Sequence, residues 1–196
     1  MLRPKRILAP TETPVTVEDA KCHLRVSSSE EDALIAGLID TAVDSFDGRA
    51  GILGRCLVWQ TWKAWYHGFP CSRSVRLPFP DVDAASVVVR YLDTTATEQT
   101  FPPSGFNVFE DTSGAYVLRH PEGVWPATCD RPDAVSVEFR AGFGSAAEVP
   151  GPLKSAILLL VGHFYENREA VTQGARAGEM PLGAMHLAEP YRVRRL

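Results

Sequence analysis

The sequence predicts an α+β protein: a small helical bundle, made of N-terminal helices plus a C-terminal helix, with an inserted antiparallel β module and an extended C-terminal arm. Three observations carry this. Apolar residues recur at helical spacing in 34–46 and again in 153–164, as in helices that bury one stripe. Between them, short runs rich in aromatic and β-branched residues are punctuated by Pro78, Pro80, Pro102, Pro103, Pro121, Pro126 and Pro132, a density that suits antiparallel strands with edges and turns. Past residue 171 the periodicity gives way to scattered apolar anchors and a basic tip. The expected boundaries are 1–55 for the N-terminal helical part, 56–146 for the β module, 147–170 for the C-terminal core helix and 171–196 for the arm.

The elements follow in order. After an extended, proline-bearing leader, Thr16 with Asp19 three residues on resembles a capping box, so a short helix is expected over Val17 to Arg25. Ser27 to Ser29 interrupt it. Ser29 is expected to cap a second helix with Glu30, Glu31 and Asp32 in its first turn, where the helix dipole favours negative charge. Its apolar stripe is Leu34, Ile35, Leu38, Ile39, Ala42, Val43 and Phe46, and Gly48 and Gly51 end it. From Leu57 to Tyr66 the alternation changes to that of a strand. Further strands are expected at Val75–Leu77, Ser86–Leu92, Gln99–Phe101, Phe106–Phe109, Ala115–Arg119 and Val135–Arg140. A last helix opens after Pro150-Gly-Pro152, where proline is tolerated, and runs to about Glu169. Residues 172–178 are flexible by composition, and the arm follows.

Composition narrows the function. With 196 residues, 45% hydrophobic and 22% charged, the chain buries a core without disulfides. A net charge of −4 argues against nucleic acid as the main partner. The balance is uneven: acids crowd 17–47, whereas Arg192, Arg194 and Arg195 stand among the last residues. Cys22, Cys56, Cys71 and Cys129 form no C-x-x-C pair, so neither a zinc knuckle nor a secreted disulfide framework is expected. The basic start lacks an apolar stretch of signal-peptide length, and the longest apolar run, around Ala156 to Val161, is far short of a bilayer crossing. Synthesis in the cytoplasm and no membrane contact are the expectations.

Candidate chemistry is sparse. Asp111-Thr-Ser-Gly114 has the look of an aspartic-protease signature, but its flanks, Phe106–Phe109 and Ala115–Leu118, make it a hairpin turn. Gly142-Phe-Gly-Ser-Ala146 lacks the third glycine of a nucleotide loop. His163 and Glu166 share a helix face at the spacing of di-metal sites, with Asp40 and Asp44 as candidate facing acids, so a metal-dependent enzyme is one alternative. Trp59, Trp62 and Trp65 with the terminal arginines define another, a nucleic-acid-binding module, though only Lys63 lies among the tryptophans.

The last helix is apolar nearly all round. Leu153, Ala156, Ile157, Leu160 and Phe164 make one stripe, and Leu158, Leu159, Val161 and Tyr165 fall outside it. Either the chain's own β module or a neighbouring subunit covers that second face; burying two leucines there is worth about 3 to 6 kcal/mol.

Three segments, in order, carry a resemblance to a known family. They are Thr16-Val-Glu-Asp-Ala-Lys-Cys-His-Leu-Arg-Val26 with the helix Ala33-Leu-Ile-Ala-Gly-Leu-Ile-Asp-Thr-Ala42 and Gly48-Arg-Ala-Gly51, then Pro152 to Ala170, then Pro181-Leu-Gly-Ala-Met185 with Pro190-Tyr-Arg-Val193. Together they resemble the head-to-tail connector, or adaptor, proteins of the neck of tailed bacteriophages and gene transfer agents, in the longer form with a β-rich insertion. The resemblance implies a structural, non-catalytic protein without cofactor, in a ring usually of twelve copies. The ring sits in the virion neck, joining the portal to the next neck or tail component, a stopper or tail terminator, and DNA touches it only in passage. On that reading Leu158, Leu159, Val161, His163, Tyr165 and Arg168 form the subunit interface. Leu182, Met185, Leu187, Tyr191, Arg192, Arg194 and Arg195 form the portal-docking arm, and Glu31, Asp40 and Asp44 face the channel.

Overall fold

The computed structural model describes residues 1–168 and 181–193. They form two units, one of strands (1–10, 59–142 and 193) and one of helices (11–58, 143–168 and 181–192).

In the helical unit, α1 (Val17–Leu24) starts with the expected box: Thr16 Oγ1 accepts from Asp19 N at 3.1 Å, and Asp19 Oδ2 accepts from Thr16 N at 2.9 Å. The Thr16 N–H first and the Thr16 hydroxyl second, both donating to Asp19 Oδ2, hold that carboxyl below its usual range. Helix α2 (Asp32–Phe46) starts later than the serines suggested. Glu31 occupies the cap position without a side-chain bond, because the serine loop makes its own turn, Ser28 Oγ taking the Glu30 N–H at 3.2 Å. Lys21 Nζ meets Asp32 Oδ1 at 2.7 Å and ties α1 to the first turn of α2. After α2, buried Asp47 accepts the Leu57 N–H at 2.7 Å and Gly48, at φ 67°, donates to Arg55 O at 2.8 Å. That folded loop drives Leu53, Leu57 and Val58 into the helical core, which is why the expected strand from Leu57 begins only at Gln60.

Helix α3 (Gly151–Glu166) stops three residues before the expected Glu169, with Asn167 N donating to His163 O at 3.1 Å. The segment expected as an extended arm is instead helix α4 (Leu182–Ala188) followed by a turn of 3₁₀ helix (Glu189–Tyr191). Ala184 and Ala188 are fully buried and join the same core as Ile35, Ile39, Phe46, Leu153, Ile157 and Leu160. Small residues let α4 lie close against α3, and that packing stabilises a helix too short to stand alone. Residues 172–178, Arg194 and Arg195 lie outside the described residues.

The strand unit holds two antiparallel sheets. The first has the order β1-β2-β8-β4-β5, with β1 Lys5–Leu8, β2 Gln60–Tyr66, β4 Val88–Leu92, β5 Glu98–Phe101 and β8 Val135–Ala141. The second has the order β3-β7-β6, with β3 Ser74–Arg76, β6 Phe106–Asp111 and β7 Gly114–Arg119. Residues 1–10, expected with the helical part, belong here: Arg6 pairs with Trp62 and Lys5 with Lys63. The buried side of the first sheet is Trp62, Ala64, Val89, Val137 and Phe139, and of the second Val75, Ala115 and Val117. Phe79 joins the cluster, its ring 4.7 Å from Trp62 and 6.5 Å from Phe139. Phe69 and Trp125 stack at 4.4 Å beside Phe101. Asp111-Thr-Ser-Gly114 is the β6–β7 hairpin turn, and both Asp111 oxygens accept from Arg76, at 2.6 and 2.5 Å.

Candidate assembly interface

Helix α3 separates the six expected interface residues. Val161 is 0% exposed, so it belongs to the chain's own core and offers nothing to a neighbour. The reason is its position: four residues after Ile157 and eight after Leu153, Val161 lies on the same side of α3 as the buried stripe Leu153, Ala156, Ile157 and Leu160. Leu158 and Tyr165 are half-buried against the same core. Of the four apolar and aromatic residues among the six only Leu159 is exposed, at 38%, and Arg168, beyond the end of α3, is exposed as well. Leu159 Cδ1 lies 3.7 Å from where a side-chain carbon on Gly183 would sit, which places it beside the first turn of α4. Leu182, in that turn, is 78% exposed. Near α3 and α4 the exposed apolar surface thus reduces to Leu159 and Leu182, less than the sequence alone predicts.

The remaining arm residues divide similarly. Leu187 and Tyr191 pack on the core, Tyr191 with its ring 6.4 Å from Phe143, edge to face. Met185 is half-buried. Arg192 is exposed, with Glu189 at 3.8 Å. The helical character of 182–191 was legible: Pro181 precedes it, and Leu182, Met185 and Ala188 recur at three-residue steps.

Glu31 joins the ends of two helices. Its Oε1 accepts from Arg168 Nη2 at 2.7 Å, its Oε2 accepts from the Tyr165 hydroxyl, and the Arg168 guanidinium lies over the Tyr165 ring at 4.8 Å. The Tyr165 bond first and Arg168 second hold the Glu31 carboxyl below its usual range, and the same bond pushes the Tyr165 phenol up. All three were assigned to outward roles, Glu31 facing a channel and the other two a neighbour; the structure spends these polar groups on one another. Asp40 and Asp44 are exposed on one side of α2, opposite buried Ile35, Ile39 and Ala42.

His163 and Glu166 do not gather a metal site: among the described residues no group of three His, Cys, Asp or Glu side chains is placed to hold an ion. His163 instead has Asn167 Nδ2 3.4 Å from its Nδ1. Trp62 is buried, Trp65 is half-buried with Lys63 Nζ 5.7 Å from its ring, and Trp59 lies under the Arg140 guanidinium at 3.8 Å. Arg140 is itself held by Asp83 at 2.5 Å, so no open row of rings beside free cations results. Among the described residues no helix is long and apolar enough to cross a membrane.

The class this geometry defines is an α+β protein with a closed helical unit, whose outward features are surfaces: an apolar patch, an acidic helix side and open sheet edges. Its fold is that of chains in gene transfer agent particles. A chain in the neck of an empty particle, computed with C6 symmetry, superposes with a TM-score of 0.78 at 23% identity, covering 100% of this chain and 97% of that one. A chain of the virion of a native gene transfer agent particle gives 0.76 at 24% identity, with the same coverage. A chain in the neck of a native particle, computed with C12 symmetry, gives 0.75 at 23%, again covering 100% and 97%. No protein-family model matches the sequence, and no curated protein matches it.

Proposed function

We propose that this chain is a structural component of the neck of a tailed phage or phage-like particle: a head-to-tail connector that forms a twelve-copy ring, joins the portal to the next neck or tail component and lets DNA pass. The observation that carries this reading is the likeness over the full length, helical unit and strand unit alike, to chains in particle necks computed with C6 and C12 symmetry. Twelve copies satisfy both symmetries.

In this reading Leu159 and Leu182 are covered by the adjoining copy. Their contact is heterologous, the kind that closes into rings. Portal docking falls to the last stretch of chain, where Arg192 is outward and Arg194 and Arg195 follow in sequence. Asp40 and Asp44 face the bore, where fixed negative charge repels the DNA backbone and keeps it from adhering.

The test is mass measurement and negative-stain imaging of the purified chain with its portal. A ring stacked on the portal is expected, and removal of 194–196 together with Arg192→Glu, which leaves the buried residues of α4 in place, should release it. A chain that stays monomeric with portal present overturns the assignment. In particles carrying Asp40→Lys with Asp44→Lys, assembly should persist and DNA ejection should slow; unchanged ejection refutes the bore assignment alone.

A further inference from the structure

We infer that the five-stranded sheet makes a second contact between copies, the open edge of β1 in one copy pairing with the open edge of β5 in the next, so that the sheet continues around the ring. This rests on the ring reading above.

The two edges are alike in length and opposite in character. Each strand has four residues, and among the described residues neither has a strand on its outer side. All four residues of β1 are exposed, Ile7 at 51% and Leu8 at 61%, and Leu2 just before it at 44%. In β5, Glu98, Gln99 and Thr100 are exposed. Residues 1–10 contain Arg3, Lys5 and Arg6 and no acid, whereas β5 opens on Glu98 after a turn that holds Asp93.

These features select one pairing. β1 against β1 brings together only cations, Lys5 and Arg6, and β5 against β5 only the acid Glu98, so neither self-pairing offers an opposite charge, and like charges close across a strand pair are destabilising. Between β1 and β5 the charges are complementary, and the apolar side chains of β1 gain cover. The irregular register between Arg6 and Leu8 and the lysine are protections that edge strands carry against indiscriminate pairing. Here they leave one acidic partner acceptable.

Strand direction agrees. All four pairings in the sheet are antiparallel, so β1 and β5 run the same way. Pairing β5 of one copy with β1 of the next is therefore parallel, and it repeats without reversal, as a heterologous contact must. The register also fixes a lean. Phe101 is level with Val89, Val137 and Ala64, and Lys5 is opposite Lys63, so β5 stands one four-residue strand length below β1. That offset is about 13 Å across a sheet about 24 Å wide. Copies at one height in a ring meet edge to edge when their strands tilt by roughly 30°, close to the tilt of closed sheets.

The experiment pairs Ile7→Cys with Thr100→Cys in a background where Cys22 and Cys71 are serine, assembled with portal and oxidised. The double variant should give a ladder of linked copies in denaturing gels, and neither single variant should. A ring of normal mass without a ladder overturns the strand pairing and leaves the ring standing; no ring and no ladder overturns both. Dimers from Ile7→Cys alone would show β1 meeting β1, which also overturns it. As a second measurement on a side chain exposed in the isolated chain, Lys5→Glu should weaken assembly about fivefold per contact, and Lys5→Glu with Glu98→Lys should restore it. No rescue by the swap counts against the pairing.

Discussion

Replacing Leu159 and Leu182 by serine isolates the apolar patch of the helical unit. Full burial of a leucine side chain is worth about 1.5–3 kcal/mol. With 38% of Leu159 and 78% of Leu182 left open in the isolated chain, complete cover by a neighbour stabilises each contact by roughly 1.8–3.4 kcal/mol. The double variant should therefore raise the dissociation constant of each subunit contact about 20- to 300-fold. Sedimentation velocity of portal-nucleated rings over a dilution series reads this directly. Leu159→Ser also costs the isolated fold about 1–2 kcal/mol, because most of that side chain is covered by its own helices; urea denaturation of the unassembled protein measures that part separately. Val161→Ala supplies the contrast. Fully buried in its own core, it should lower monomer stability by about 1–3 kcal/mol and leave the subunit contact of the folded protein unchanged. Rings that dissociate normally in the double variant, or weaken with Val161→Ala at temperatures where the monomer is folded, would refute the division of α3 into an inward and an outward side.

Three further outcomes follow from particular bonds. Asp47→Ala leaves the buried Leu57 N–H without its carboxylate and should cost about 1–3 kcal/mol in urea melts, with Asp47→Asn milder because it keeps an acceptor. Thr16→Ala removes the cap of α1 and should cost about 1 kcal/mol, read the same way. The Glu31 carboxyl has a folded pKa below its unfolded value, so its contribution is present above about pH 4.3 and is lost as pH falls through the folded pKa. Wild type should lose urea resistance in that acid window more steeply than Glu31→Gln; parallel curves would contradict the Tyr165 and Arg168 contacts.

The features that the sequence made plain are those written in local chemistry. Thr16 with Asp19 announces a cap, the stripe from Ile35 to Phe46 announces a buried helix side, and Asp111 with Gly114 announces a hairpin. What stayed hidden depends on partners distant in the chain. Lys5–Leu8 is too short to read as a strand until Trp62 and Lys63 are seen beside it, although Pro4 and Pro10 bracket it. Val161 falls outside the stripe expected from sequence although its spacing of four from Ile157 and eight from Leu153 puts it on that same buried side, and α4 is easily missed as a helix because its buried side, Ala184 and Ala188, scarcely registers as apolar. Glu31 read as one more acid of a charged run, yet its place at the head of α2 puts it against Tyr165 and Arg168, 134 and 137 residues away. The interface assignment failed at Val161 because helical spacing turns that residue inward with Ile157 and Leu160.

The route of the backbone has a bearing on how such a chain is trimmed or extended. Where it leaves the helical unit after Val58 and returns at Phe143, Phe143 N donates to Leu57 O at 3.1 Å, so the two ends of the long excursion meet at one hydrogen-bonded doorway. A short turn could bridge that gap and spare the helices. But the first ten residues are stitched to β2, so cutting out 59–142 alone would strand an oily, cationic thread with nothing to lie on. A minimal helical version must shed both pieces together, and a graft of the strand unit onto a shorter scaffold must carry the leading thread with it.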